Sequence, residues 1–122
     1  MGTLTFDEAY DIILEQVETV KDQVDLVLFE TMSDLYEVKA GVLAVKEHTD
    51  LPVFVTMTFE QNGRTLSGND PETFINVAEG LGVDALGVNC SLGPDELKPI
   101  IDEILEKASV PVMLQPNAGL HV

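Results

Sequence analysis

Four polar side chains follow the ends of four apolar segments at nearly regular spacing. They are Glu30, Thr58, Cys90 and Asn117, and the intervals between them are 28, 32 and 27 residues. A carboxylate, a hydroxyl, a thiol and an amide can bind a polar substrate or a metal ion, and a thiolate is also a nucleophile. In a βα barrel, chemistry gathers at the carboxyl ends of the strands. If the apolar segments are strands of such a barrel, all four side chains face one rim.

Each of these residues also has an explanation that involves no chemistry. A lone cysteine at the end of an apolar strand is commonly a small buried hydrophobe. Glu30 directly follows the apolar run 26–29 and needs water or a cationic partner, and a solvated loop supplies the water. Asn117 lies in the segment 115–119 (QPNAG), whose composition is typical of a turn. The residue types alone leave both explanations open.

The other candidate ligands give a metal site little support. A zinc site uses three or four protein ligands, and no Cys-x-x-Cys pair accompanies Cys90. We predict that His48 lies in the last turn of a helix in a structural role, where a cation suits the helix dipole. His121 is equally uninformative. The segment 62–68 (NGRTLSG) contains two glycines and one of only six cations, and it fits either a surface excursion or a lid over the rim.

The elements that must position these residues alternate with a period of about thirty residues. The sequence predicts helices over 5–22, 34–48, from Asp70 onward, and 94–107, with Thr5 and Glu8 as a capping box for the first. It predicts strands over 24–29, 52–58, 83–90 and 110–115. This alternation indicates βα units in a parallel sheet with right-handed crossovers. On length alone, four units fit a flavodoxin-like sheet or half of an eight-stranded barrel, and the polar strand ends favour the barrel.

Composition limits what the chain can be. Its 122 residues suffice for one small domain, a single unit over 1–122. Six Lys and Arg against 22 Asp and Glu give a formal charge of −16, which argues against nucleic acid and an anionic membrane surface as partners. No apolar run approaches the roughly 18 residues of a spanning helix, and the start lacks the order of a signal peptide, so we predict a cytoplasmic protein. A single cysteine cannot form an internal disulfide.

Four segments around the strand-end residues are more specific in combination. They are 28–32 (LFETM), 63–68 (GRTLSG), 87–96 (GVNCSLGPDE) and 116–120 (PNAGL). In this order they resemble the homocysteine-binding domain of cobalamin-dependent methionine synthases, in the homocysteine S-methyltransferase family. The resemblance spans nearly the whole chain and implies a (β/α)8 TIM barrel. It implies that this α/β chain is a fragment of about four consecutive βα units, corresponding to strands four to seven.

The resemblance also implies roles for three strand-end residues. Cys90 resembles the first of three zinc-binding cysteines, and Asn117 the residue that occupies the fourth zinc position until the substrate thiol replaces it. Glu30 resembles the acid that holds the amino group of homocysteine, whereas Thr58 receives no firm role. The implied reaction is methyl transfer from methylcobalamin, held on a separate module, to a zinc-activated homocysteine thiolate, which gives methionine. No residue is assigned a catalytic role beyond binding.

The chain also departs from the family pattern. The other two zinc cysteines of the family form a pair after the last strand, and this sequence ends at Val122 before such a pair. We therefore expect the chain alone to bind zinc poorly.

An open four-stranded sheet exposes two edges and an apolar face, which predicts a homodimer that covers them. Two alternatives stay open: a pterin-binding type of methyl-transfer barrel, and a non-catalytic, self-associating barrel fragment.

Overall fold

The computed structural model describes residues 5–32, 34–60, 62–65, 68–90 and 94–116. In these residues four helices alternate with four strands, which confirms the α/β class. The helices are α1 (Phe6–Val20), α2 (Leu35–His48), α3 (Pro71–Gly80) and α4 (Pro94–Lys107). The strands are β1 (Val27–Met32), β2 (Val53–Met57), β3 (Ala85–Cys90) and β4 (Val112–Pro116). None of the helices in the described ranges has the length and apolar content needed to cross a bilayer.

Polar side chains fix where two of the helices begin. The capping box expected at α1 is present: the Glu8 amide donates to Thr5 Oγ1 at 3.1 Å, and the Thr5 amide donates to the Glu8 carboxylate at 3.2 Å. Asp70 caps α3 by accepting from the Thr73 amide at 2.9 Å. This hydrogen bond is the main reason that the pKa of the Asp70 carboxyl is lowered. Such caps satisfy backbone donors that have no partner within the helix.

The sheet topology decides between the two architectures that length left open. All neighbouring strands are parallel, and their order across the sheet is β1-β2-β3-β4. A flavodoxin-like sheet reverses its strand order, because its helices cover both faces. Here the order never reverses, so right-handed crossovers place α2, α3 and α4 on the same face. Successive helices also contact one another, from α1 through α4. The arrangement is therefore an arc of a βα barrel.

The hydrophobic core lies between the two central strands and the helix layer. Val55, Met57, Leu86 and Val88 are fully buried. Helix residues that pack in the same cluster are Val38, Val42, Val45, Phe74, Ile75, Ala78, Leu97, Ile100 and Ile104. Burying one large aliphatic side chain contributes about 1.5–3 kcal/mol relative to leaving it exposed. The core therefore holds β2 and β3 most firmly, while Leu28 on the edge strand β1 stays 39% exposed.

The predicted bounds of the first strand are wrong by three residues. The sequence favours residues 24–29, but Val24 and Leu26 are exposed, and pairing starts where the Val27 amide donates to the Pro52 carbonyl at 2.9 Å. The strand then continues through a bulge. Phe29 pairs with Val55 and Met32 pairs with Met57, so residues 30 and 31 together oppose one residue of β2. Glu30 consequently lies inside the strand and not after it.

At the amino-terminal end of the sheet, the Asp84 carboxylate binds groups from two other elements. Asp84 Oδ2 accepts from the Val53 amide at 2.8 Å and pairs with Lys46 Nζ at 2.8 Å. In return, the Asp84 amide donates to the Val53 carbonyl at 2.8 Å. The bond from Lys46, followed by the bond from Val53, lowers the pKa of the Asp84 carboxyl. This residue therefore links α2, β2 and the entry to β3.

Two glycines permit close approach of neighbouring elements. A Cβ on Gly87 would collide with the backbone carbonyl of Met113, the residue beside it on β4. A Cβ on Gly41 of α2 would lie 2.7 Å from the Phe29 ring. A ring can shift more easily than a paired backbone, so Gly87 is the stricter requirement. It allows β3 and β4 to pair at this spacing.

Candidate functional site

The carboxyl-terminal end of the sheet brings the strand-end residues to one rim. Glu30 lies on β1, Thr58 directly follows β2, and Cys90 is the last residue of β3. Because the strands are parallel and adjacent, these positions lie at the same edge of the sheet, as the sequence predicts. The roles assigned to Glu30 and Cys90 stay predictions.

Glu30 owes its position to the bulge in β1. A bulge inserts one extra residue and re-aims the neighbouring side chains, and bulges are frequent next to active sites. The Glu30 side chain is exposed. An exposed carboxylate on a bulge can accept charge-assisted hydrogen bonds from an ammonium group. The arrangement therefore suits a small cationic group of a substrate.

Thr58 connects the two neighbouring strands of the rim. Its amide donates to the Met32 carbonyl of β1 at 2.8 Å. Its Oγ1 donates to the Asn89 carbonyl of β3 at 2.9 Å. Sequence reasoning found the position but missed this function, because a threonine that ends a strand carries no signal about which carbonyl its hydroxyl will reach.

Cys90 is described through its backbone only. It pairs with Pro116 of β4, and the preceding pair is Asn89 with Gln115. Asn117, the other predicted zinc ligand, follows Pro116 directly in the sequence but lies outside the described residues, as does His121. The expected proximity of Cys90 and Asn117 therefore stays a prediction.

The donor set matches zinc in type but not in number. A cysteine thiolate is a preferred zinc ligand, and a site needs at least three protein ligands. Within the described ranges, no group of three His, Cys, Asp or Glu side chains could hold a metal ion. The described residues therefore do not form a zinc site by themselves.

His48 has a structural environment, as predicted. It ends α2, where its Nε2 lies 2.9 Å from the Tyr10 hydroxyl of α1. The same hydroxyl donates to Glu47 Oε1 at 2.6 Å, and this bond is the main reason that the pKa of Tyr10 is raised to about 12. The cluster joins α1 to α2 and does not reach the rim.

The loop after β2 is folded on itself. The Glu60 amide donates to the Arg64 carbonyl at 2.8 Å, and the Thr65 amide donates to the Asn69 carbonyl at 2.8 Å. Arg64 Nη1 donates to the Gly68 carbonyl at 2.9 Å, and Thr65 is buried. Of the two explanations for 62–68, these bonds favour a packed excursion, although residues 66 and 67 lie outside the described part of the chain.

Residues in or next to this loop contribute to the lining of surface cavities. One of about 370 Å³ is lined by Asp34, Leu35, Tyr36, Lys39, Asn69 and Val77. Another of about 270 Å³ lies between the loop and α4 and includes Arg64, Asp70, Pro99 and Glu103 in its lining. Among the residues that the structure describes, neither Glu30 nor Thr58 lines either cavity.

Comparison with protein families gives one match over the whole chain. A model described as homocysteine S-methyltransferase matches residues 1–122. Two methionine synthases are similar in sequence over 103 residues, or 80% of this chain. The Mycobacterium leprae (strain TN) protein is 39% identical, and the Mycobacterium tuberculosis (strain ATCC 25618 / H37Rv) protein is 37% identical. The chain spans only 8% and 9% of these relatives.

Two solved structures share the fold. The homocysteine methyltransferase MmuM from Escherichia coli superposes with a TM-score of 0.83 in its apo form and 0.85 in its metallated form, at 19% and 18% identity. The matches cover 95% and 97% of this chain but 45% and 41% of the MmuM chains. Identity this low shows the fold alone. The structural match confirms that the four βα units have the fold of part of a TIM barrel.

Proposed function

The chain belongs to the homocysteine S-methyltransferase family, and on this premise we propose that it supplies the homocysteine-binding rim of a methionine synthase barrel. The observation that carries the proposal is the family match over residues 1–122. Identity of 37–39% to two methionine synthases supports it. The match favours homocysteine as substrate over the pterin-binding alternative.

We assign the amino group of homocysteine to Glu30. The exposed carboxylate on the β1 bulge supports this assignment, because an ammonium group can approach it without desolvating a buried charge. A hydrogen bond to a charged group contributes about 1.5–3 kcal/mol. Glu30 would therefore orient the substrate from one side of the rim.

We assign the thiol end of homocysteine to the side of the rim that contains Cys90 and Asn117. Asn117 follows Pro116, the pairing partner of Cys90, and this adjacency supports a shared site. In the complete barrel, these residues and two cysteines beyond this sequence would hold zinc. When bound, zinc removes the thiol proton of homocysteine and makes its sulfur a nucleophile at neutral pH.

The methyl donor proposed for the intact enzyme is methylcobalamin on a separate module, and the product is methionine. This chain would contribute to binding and orientation of homocysteine and need not bind cobalamin itself. The homodimer and the cytoplasmic location stay predictions.

Paired titrations test this function. Zinc and then homocysteine are titrated into this chain, into a longer chain that includes the family's cysteine pair, and into Cys90→Ser versions of both. We expect the longer chain to bind one zinc and to need it for homocysteine, and the shorter chain to bind zinc poorly. Homocysteine binding by the longer chain that is indifferent to both zinc and Cys90→Ser would contradict the assignment.

A further inference from the structure

Thr58, the residue that follows β2, makes one hydrogen bond to β1 and one to β3. The Thr58 amide reaches the Met32 carbonyl at 2.8 Å, and Thr58 Oγ1 reaches the Asn89 carbonyl at 2.9 Å. Thr58 lies one residue beyond β2, whose last pair with β3 is Met57 with Val88. The hydroxyl thus extends the contact between these strands to the rim.

We propose that Thr58 is a positioning residue that sets the spacing between the Glu30 side and the Cys90 side of the homocysteine site. The inference rests on the proposed function and deepens it, since Thr58 itself is given no contact with substrate. Its two bonds act on the Asn89 carbonyl, next to Cys90, and on the Met32 carbonyl, two residues after Glu30.

On the β1 side, the hydrogen bond from the Thr58 amide holds Met32, the residue that follows the bulge. The register of β1 shifts between Phe29 and Met32, so regular pairing does not constrain Glu30 directly. The bond from Thr58 to the Met32 carbonyl anchors the strand immediately after the irregular segment. Without such an anchor, a bulged edge strand can open locally, because few buried contacts oppose the opening.

On the β3 side, the bond acts on the peptide that contains the Cys90 nitrogen. The Asn89 carbonyl and the Cys90 amide belong to one planar peptide unit. Holding that carbonyl therefore fixes the orientation of the Cys90 backbone. Binding sites must keep their groups within about 0.5 Å of the productive geometry, and supporting hydrogen bonds provide that accuracy.

Three variants separate positioning from general stability. Thr58→Val removes the hydroxyl and keeps the branched shape, whereas Thr58→Ser keeps the hydroxyl. The matched control is Thr49→Val, because Thr49 Oγ1 also donates to a backbone carbonyl, that of Val45 at 2.9 Å. Thr49 lies at the other end of the sheet, between α2 and β2.

Amide hydrogen exchange by NMR gives the first measurement. Thr58→Val removes the hydroxyl bond to Asn89 and leaves the backbone bond to Met32. We therefore expect the Cys90 amide to exchange about fivefold faster, as expected for one lost hydrogen bond. Thr58→Ser should stay within twofold of the wild type. Thr49→Val should accelerate the Leu51 amide, which donates to Thr49 Oγ1 at 3.1 Å, and leave the Cys90 amide unchanged.

Homocysteine titration gives the second measurement, on the longer zinc-binding chain described above. We expect Thr58→Val to weaken binding about fivefold, with rescue by Thr58→Ser and no effect of Thr49→Val.

The two measurements fail in different ways. Unchanged Cys90 exchange in Thr58→Val, or loss of protection in Thr58→Ser, overturns the positioning role. If Thr58→Val does not fold, the Ser variant still decides whether the hydroxyl suffices. Absence of homocysteine binding by the unsubstituted longer chain overturns the proposed function, while the exchange rates still decide whether Thr58 holds the two strands.

Discussion

The two ends of the sheet use polar residues in opposite ways. At the amino-terminal end, Asp84 directs its carboxylate at Lys46 and at the Val53 amide, so the charge is satisfied within the chain. At the carboxyl-terminal end, Glu30 is exposed on a bulge, and Thr58 is the hydroxyl that links the strands there. In βα barrels the first end mainly serves stability and the second serves chemistry. The comparison teaches that similar side chains acquire different roles from the strand end they occupy.

The largest expected effect is on the sheet that joins the two ends. Gly87→Ala places a Cβ against the Met113 carbonyl, so β3 and β4 must separate or shift. We expect a loss of about 3 kcal/mol or more in the free energy of unfolding, measured by urea denaturation. Gly80→Ala is the control, because its Cβ meets nothing within 4 Å. A Gly87→Ala variant as stable as the control would contradict the close approach.

The second-largest loss of stability is expected from a substitution at the amino-terminal end of the sheet. Asp84→Ala removes the acceptor of the Val53 amide and the partner of Lys46. We expect a loss of about 1 kcal/mol at neutral pH, because the pair is largely solvated. Amide shifts of Thr58 and Asn89 should stay unchanged. Large shifts there would show that the two ends are not independent.

The stability contributed by Asp84 should depend on pH. Folding lowers the pKa of Asp84 below the value of about 3.9 expected in the unfolded chain. The contribution is therefore present above the unfolded pKa and is lost as the pH falls through the folded one. The stability difference between wild type and Asp84→Ala should narrow below about pH 4. A difference that is constant from pH 7 to pH 3 would contradict the ion pair's contribution.

A smaller effect is expected from the cluster between α1 and α2. Folding raises the pKa of Tyr10 to about 12, mainly through the bond to Glu47. The stability it contributes is present below the unfolded pKa of about 10 and is lost as the pH rises toward the folded value. In Tyr10→Phe, stability should therefore change less with pH between about 10 and about 12 than in the wild type. Circular dichroism can follow unfolding at each pH. The rim should be unaffected. If the wild type and Tyr10→Phe lose stability identically at alkaline pH, the Tyr10 cluster is not the cause of that loss.

The smallest effect on stability is expected at Glu30. Glu30→Gln should change the free energy of unfolding by no more than about 0.5 kcal/mol, because the side chain is exposed. In the zinc-binding longer chain it should nevertheless weaken homocysteine binding by tenfold or more, as expected for a lost charged hydrogen bond. A large loss of stability with unchanged binding would reverse the assignment of the two ends.

Much of the fold follows from local patterns in the sequence. The capping box of Thr5 and the Asp70 cap with its following proline mark helix starts, and the apolar runs of β2 and β3 mark strands that are buried on the helix side. The bounds of β1 do not follow, because Val24 and Leu26 have the residue types of a strand but precede Val27, the first residue that pairs with β2. Pairing decides such bounds, and pairing is a tertiary property.

The candidate site follows from the sequence only in part. The positions of Glu30 and Cys90 at one rim follow from strand order, while their roles come from family resemblance. The bonds of Thr58 and Asp84 do not follow, since each reaches an element about 30 residues away. Side-chain bonds between distant segments depend on register, which residue types do not specify.

The bulge in β1 decides which substitutions at this rim disturb the core. Phe29 and Met32 both pack against the core although three positions separate them, so the inserted residue changes the parity of the strand. The Glu30 side chain, which is exposed, is thereby released from the in-and-out alternation that governs the other strands. A substitution at Glu30 therefore changes the surface of the rim without repacking the interior.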